Sequence, residues 1–414
     1  MSTHRTTRDQ QLAATDAAGP DETVLRRAGL ADLRDLLRER QARKADAVVP
    51  ASAITSRGGV LHVAGLIEPK LGAHGVIGTR DAALRPTHGA DAQIAERLKI
   101  PGAYLRRLAL EAPEVYDANV NGLLARQGTK RYLVRGLVDG PDVVPDHAPP
   151  SAADMDTTGG ILRALLSDSY RPIEDLDVLL ATLAGIRASG RSVEIRSCDL
   201  TENRMYVTVA CPEVAAMAPA LLGNYRSPYS GNRGADNPLV FAGFVFQNSE
   251  TGSGRYRLTP RIEVQICTNG VTITRDAASE VHLGGKLDAG PVRWSADTTR
   301  RATELITAKT RDAVGGFLDQ GYLERQLAEI TAQAGVPVTD ATGTIEQVSA
   351  ELHYTKAQAD AILEDFLAGG DRSAGGVLHA VTSAAQREHN AETAHAMEAD
   401  GIRAMGLAAR LQHA

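Results

Sequence analysis

The chain has 414 residues, 43% of them hydrophobic and 23% charged, with a net charge of −6. That balance belongs to globular domains and excludes collagenous, wholly disordered and many-spanning membrane chains. No apolar run approaches the roughly 18 residues of a membrane span, and the N-terminus, MSTHRTTRDQQ, has none, so neither a span nor a signal peptide is expected. Cys198, Cys211 and Cys267 are odd in number and far apart, which signals neither a disulfide framework nor a thiolate zinc site and points to a reducing cytoplasm.

Taken in order, residues 1–22 are polar and without periodicity and read as a disordered tail. Residues 23–138 read as a helical and mixed region. Val24, Leu25, Ala28, Leu33, Leu36 and Leu37 predict one amphipathic helix over Asp21–Lys44, with a break near Gly29. Short strands with glycine turns follow over Val48–Val76. Three helices are expected next, opened by Asp91, Pro101 and Pro113, and then a strand over Arg126–Val138. Residues 139–160, rich in Pro and Asp, read as an acidic linker or long loop.

Residues 161–335 read as an α+β core: a strand at Ile161–Leu166, a helix at Ile173–Arg187, two strands joined near Thr201-Glu202-Asn203 and ended by Pro212, and a strand at Leu239–Phe246. The clearest alternation follows, with Tyr256, Leu258, Ile262 and Val264 on one parity and Arg255, Arg257 and Arg261 on the other, so one face is apolar and the other polar. Pro260 within it predicts an edge strand or a bulge. A long helix over Ser295–Ala334, breakable at Gly315-Gly316, leads into a C-terminal helical region over 336–414 with a capping box at Thr355 and Gln358. The fold class is therefore α+β, a mainly antiparallel sheet core flanked by a helical N-terminal region and a helical C-terminal tail.

Charge is unevenly spread. Residues 141–180 hold eight acids against Arg163 and Arg171, and residues 340–414 hold eleven acids against five Lys or Arg, which leaves the rest of the chain at +6. Two groups mix cations with aromatics: Arg126, Lys130, Arg131, Tyr132 and Arg135, then Tyr225, Arg226, Tyr229, Arg233, Arg255, Tyr256, Arg257 and Arg261. Guanidinium groups pair with phosphates and tyrosine faces accept unstacked bases, so these residues, apart from Arg126, are the candidate single-strand contacts. Solvated strand faces and ordinary core tyrosines explain the same composition.

No intact phosphate loop, nucleophile elbow or zinc helix occurs, and no cofactor is expected. Glu250, Asp276 and His282, with Cys267 nearby, are candidates for one divalent cation, Mg²⁺ or Mn²⁺ in a nuclease-like enzyme. Glu388, Glu392 and His395 share a helical face that reads as solvated. Asn248-Ser249-Glu250-Thr251-Gly252 and Asn269-Gly270 are also turn formers, and Ser167, Tyr170 and Arg171 suit a strand-to-helix connection, so each has a purely conformational reading.

The elements Asn248-Ser249-Glu250, Cys267-Thr-Asn269-Gly270 and His282, with Ser167, Tyr170 and Arg171 in the run from Arg163 to Ile173 and the helix from Gln93, together resemble a protein family of phages, prophages and plasmids that carries a domain of unknown function. The resemblance covers about residues 75–400 and implies a mobile-element setting. The tail departs from the family at Gly375-Gly376 and Leu378-His379. Joined to the basic and aromatic strands, it leads to the expectation of a DNA-metabolism protein that binds single-stranded DNA and anneals strands in recombination or replication. Such a protein acts by binding rather than catalysis, as a homo-oligomer and without a membrane. The alternatives are the metal-dependent nuclease and a non-enzymatic partner of a host protein.

Overall fold

A computed structural model describes residues 23–67, 70–72, 75–77, 80–138, 157–266, 270–280 and 296–413. The chain opens with strand β1 (Thr23–Ala28), helix α1 (Leu30–Arg43) and strand β2 (Lys44–Pro50). The helix expected from Asp21 is thus shorter than its periodicity predicts. Val24 and Leu25 belong to a strand whose partner lies more than 170 residues away, and long-range pairing overrides the local pattern. Strands β3 (Ile54–Arg57), β4 (Val60–Ile67), β5 (Lys70–Gly72), β6 (Gly75–Ile77) and β7 (Arg80–Pro86) follow, then helices α2 (His88–Leu98), α3 (Gly102–Glu111) and α4 (Pro113–Ala125).

Strands β8 (Arg131–Val138) and β9 (Thr157–Ser167) complete a six-stranded sheet in the order β2-β8-β9-β7-β4-β3, antiparallel except for the β7–β9 pair. Tyr132 and Val134 of β8 pack with Leu84, Ile94, Tyr116 and Leu162 in the core under the three helices, while Leu133 faces the other way with Ala164 and Leu166. The stretch expected as a linker joins two neighbouring antiparallel strands of this one sheet. Its residues 157–160 already belong to β9, and 139–156 lie outside the described residues.

Helix α5 (Asp175–Ala188) leads to β10 (Glu194–Thr201), β11 (Met205–Met217), short α6 (Pro219–Leu222), β12 (Leu239–Asn248), β13 (Tyr256–Val264), β14 (Gly270–Thr272) and β15 (Ala278–Glu280). The second sheet runs β1-β10-β11-β12-β13-β14, with β15 also on β13. The N-terminal strand therefore completes the second sheet, β9 sits in the first, and the two sheets exchange chain across the expected region boundary. Pro212 does not end β11, which continues across a register shift between Cys211 and Ala215, a bulge where a missing N–H is tolerated.

On β13 the parity is as expected: Tyr256, Leu258, Ile262 and Val264 are each at most 2% exposed. Pro260 falls between the residues paired with β15 and those paired with β14, so the outer neighbour is interrupted where the donor is lacking.

Six helices close the chain: α7 (Ala296–Phe317), α8 (Gln320–Ala334), α9 (Ala341–Glu351), α10 (Lys356–Gly369), α11 (Ala374–Ala385) and α12 (Ala391–Leu411). The long helix expected to Ala334 breaks just after Phe317, where Asp319 caps α8, and the Thr355–Gln358 capping box forms at 2.9 and 3.3 Å. Tyr256 Oη reaches Thr182 of α5 and Thr310 of α7 at 3.1 and 2.7 Å, so those helices cover its face of the sheet. α12 covers the opposite face, where Glu392 meets Thr201 and Glu398 meets Arg261. Every residue of α11 is buried. The protein is α+β, with twelve helices among the described residues, none of them long and apolar enough to cross a membrane.

Burial on β13 predicts a contrast. Ile262→Ala lowers the unfolding free energy by about 2–5 kcal/mol, measured by urea titration, whereas Arg255→Ala, on an exposed residue, changes it by under about 0.5 kcal/mol. Equal losses would contradict the parity assignment.

Candidate nucleic-acid interface

The expected contacts divide sharply by burial. Tyr132, Tyr225 and Tyr256 are core residues. Tyr132 has Lys130 over its ring at 5.2 Å, and Tyr225 stacks on His379 at 4.2 Å. Tyr229, 49% exposed, is the one of the four with a free face. Among the cations, Arg135 and Arg261 are buried in ion pairs and leave the set of phosphate contacts. Lys130 and Arg131 lie exposed at the start of β8, and Arg255 is exposed with Arg257 half-buried at the start of β13. Arg226 and Arg233 face each other across an isolated bridge in the loop before β12.

Glu250, Asn248 and their neighbours assemble a buried charge cluster between the sheets. Glu250 pairs with Arg163 of β9, its Oε2 accepts the Asp175 N–H at 2.9 Å, and its carbonyl accepts from Arg135. Arg135 also donates to Asp46 and, through Nη2, to both Glu174 oxygens, each at 2.8 Å. Asn248 Nδ2 donates to the Ile173 carbonyl at 2.9 Å and to Asp175 Oδ1 at 2.8 Å. Gln93 of α2 ties the Thr251 carbonyl to the Leu165 N–H. Gly252 adopts φ +84°, and a Cβ there would stand 2.7 Å from Leu166, so glycine is required. Ser249 Oγ accepts the Ser253 N–H at 3.0 Å. Ser167 bonds Ser169 at 2.9 Å, Tyr170 N–H closes a turn on the Ser167 carbonyl, and Arg171 donates to the Asp168 carbonyl, which together form the expected strand-to-helix connection.

Burial pushes the Glu250 carboxyl up, but the guanidinium groups of Arg163 and Arg135 outweigh it and hold the group well below the usual carboxylate range. Burial, then the charge of Glu250, pushes Asp175 well up. Carboxyls driven apart in this way also mark acid–base sites. Here the adjoining cavity among the described residues is about 10 Å³, room for at most one water, and the cluster's ion pairs join elements of the two sheets.

Asp276 accepts from Tyr322 Oη at 2.8 Å and pairs with Arg275. Among the described residues no three His, Cys, Asp or Glu side chains are grouped to hold a metal; Cys267, Asn269 and His282 lie outside them. Gly270 is placed under Arg261, since a Cβ would stand 1.8 Å from Arg261 Nε. The face of Glu392 and His395, expected to be solvated, turns toward the sheet, with Glu392 on Thr201 and His395 on Asp199, both at 2.8 Å. A helix packed on a polar sheet face presents polar residues inward, which periodicity alone reads as solvent.

One place brings expected cations together. The loop before β12 and the Gly369-to-Ser373 joint border an open groove of about 820 Å³ lined by Arg226, Arg233 and Arg372. The two walls are tied by the Arg226 N–H to the Gly369 carbonyl at 2.9 Å. Arg226 Nε donates to the Gly231 carbonyl and Arg372 lies over the Phe366 ring at 5.7 Å; among the described residues none of the three arginines has a carboxylate partner. Asp371, the acid of the groove, accepts from Ser373 Oγ at 2.7 Å. Ser373 in turn caps α11 through the Gly376 N–H, so the positive end of that helix faces the groove. Tyr229 lies further along α11, its hydroxyl on the Ser383 carbonyl at 2.9 Å. Arg372 escaped the sequence reading because it lies in the acidic C-terminal region; the glycine joint before it was its only signal.

No protein family, curated protein or solved structure matches the chain.

The buried charge cluster predicts that Glu250→Ala, which strips Arg163 of its counter-charge, costs about 3–5 kcal/mol by urea unfolding. A loss under about 1 kcal/mol, the range of an exposed pair, would contradict the role assigned to this carboxylate.

Proposed function

We propose that this chain binds the phosphate backbone of single-stranded DNA in the Arg226–Arg233–Arg372 groove, as a DNA-metabolism protein of a phage- or plasmid-type element. The observation that carries the reading is three guanidinium groups without carboxylate partners on one open groove. Guanidinium forks fit phosphate oxygens, and a local positive field serves binding even where the whole chain is acidic. Half-exposed Tyr229 on the same loop offers a face on which a base stacks. The family resemblance supplies the mobile-element setting. Strand annealing by a homo-oligomer is the activity to which this reading extends, in a cytoplasm where buried, unpaired Cys198 and Cys211 stay reduced.

Anisotropy titration of labelled single-stranded DNA against salt tests it. Replacing Arg226, Arg233 and Arg372 together by alanine lowers the salt slope by about two units, at roughly 0.7 per lost phosphate contact. Tyr229→Ala weakens binding by about 1–3 kcal/mol and leaves the slope alone. The double variant Arg255→Ala with Arg257→Ala serves as the comparison: if it, and not the groove variant, lowers the slope, the site belongs on β13 and the proposal fails.

A further inference from the structure

A second cavity, of about 190 Å³, lies at the other end of α11, between α12 and the polar face of the second sheet. It is built by an irregularity. Leu25 and Ala28 pair with Leu200 and Cys198, so Arg26 and Arg27 together stand opposite Asp199 alone. Consecutive residues of a regular strand point to opposite faces; this bulge, with Arg27 at φ +51°, brings both arginines to the cavity. A left-handed backbone in an L-residue carries strain that the surroundings must hold in place. Both residues bond the same Asp199 oxygen, Arg26 through Nη1 at 2.9 Å and Arg27 through its N–H at 2.7 Å.

The charges lining the cavity are unequal. Asp199 is matched by Arg26 and by His395 Nε2 at 2.8 Å, Glu263 by Arg196 at 2.8 Å, and Glu398 by Arg261. The guanidinium of Arg27 bonds the Gln386 carbonyl and side chain and, among the described residues, has no carboxylate partner. Each guanidinium carries five N–H groups and no acceptor, and these pairs use only part of them. The lining therefore has N–H donors in surplus, and its three carboxylates are already taken.

We infer that this cavity binds a phosphate group, separately from the groove. A ligand made only of acceptor oxygens complements surplus donors, and a forked guanidinium matches it bidentately. The volume is below the roughly 300–1,000 Å³ of pockets for drug-sized ligands, which suits a single phosphoryl group. That group belongs either to a small phosphorylated molecule or to the end of a nucleic-acid strand.

Calorimetric titration with inorganic phosphate tests the inference. The wild-type chain binds it saturably. Arg27→Gly, which removes the guanidinium and leaves a residue at ease with positive φ, binds about tenfold more weakly or worse. Arg196→Gln, on a half-exposed side chain, repeats the loss should the glycine variant misfold. Arg255→Ala, on an exposed residue that lines neither site, leaves phosphate binding unchanged, and Arg27→Gly leaves the salt slope of binding to unphosphorylated single strands unchanged, so the two sites fail independently. A wild-type preference for an end-phosphorylated over an unphosphorylated oligonucleotide, abolished by Arg27→Gly, assigns the phosphate to a strand end. Phosphate binding without that preference assigns it to a small molecule. No saturable binding, or equal binding in both cavity variants, overturns the inference.

Discussion

The carboxylate of Glu250 sits buried where the two sheets meet, paired with Arg163 of β9 and accepting from the first turn of α5, while Arg135 of β8 donates to the carbonyl of the same residue. Those arginines come from one sheet and the carboxylate from the turn that ends β12 of the other, so the charge fixes how the sheets are joined. Removing one partner of such a group leaves the other ionised in a medium that solvates it poorly. β12 and β13 run from this turn, and the loop at the far end of β12 carries Arg226, Tyr229 and Arg233.

The same chemistry takes a different form in the groove. In the buried cluster around Glu250, Arg135 and Arg163 are matched by acids, and the space beside them holds no more than a water. In the groove Arg226, Arg233 and Arg372 have no carboxylate partner among the described residues and the space is open. Matched and enclosed arginines stabilise; unmatched and open ones are available to an anion. This contrast, and not the number of arginines, separates the scaffold from the proposed interface.

Much of the fold was legible in local pattern. The parity of β13, the capping box at Thr355 and the strand-to-helix turn at Ser167 to Arg171 each depend on residues a few positions apart. What failed depended on distant partners. Arg261 has the right parity for an outward residue, but α12, more than a hundred residues later, covers that face and supplies Glu398. Arg135 resembled a phosphate contact until Asp46, Glu174 and the Glu250 carbonyl closed on it. Val24 and Leu25 fit a helix until β10 paired with them. Of the groove, two arginines were visible in sequence and the third was not, since nothing local places Arg372 beside a loop near residue 230.

The most direct test of the central claim is hydrogen–deuterium exchange of the whole chain with and without single-stranded DNA, because it locates the contact without altering any residue. Binding in the groove predicts slowed exchange in the loop at residues 223–238 and in the joint and first turn at 369–376. Protection confined to the start of β8 or of β13, with those two segments unchanged, would contradict it.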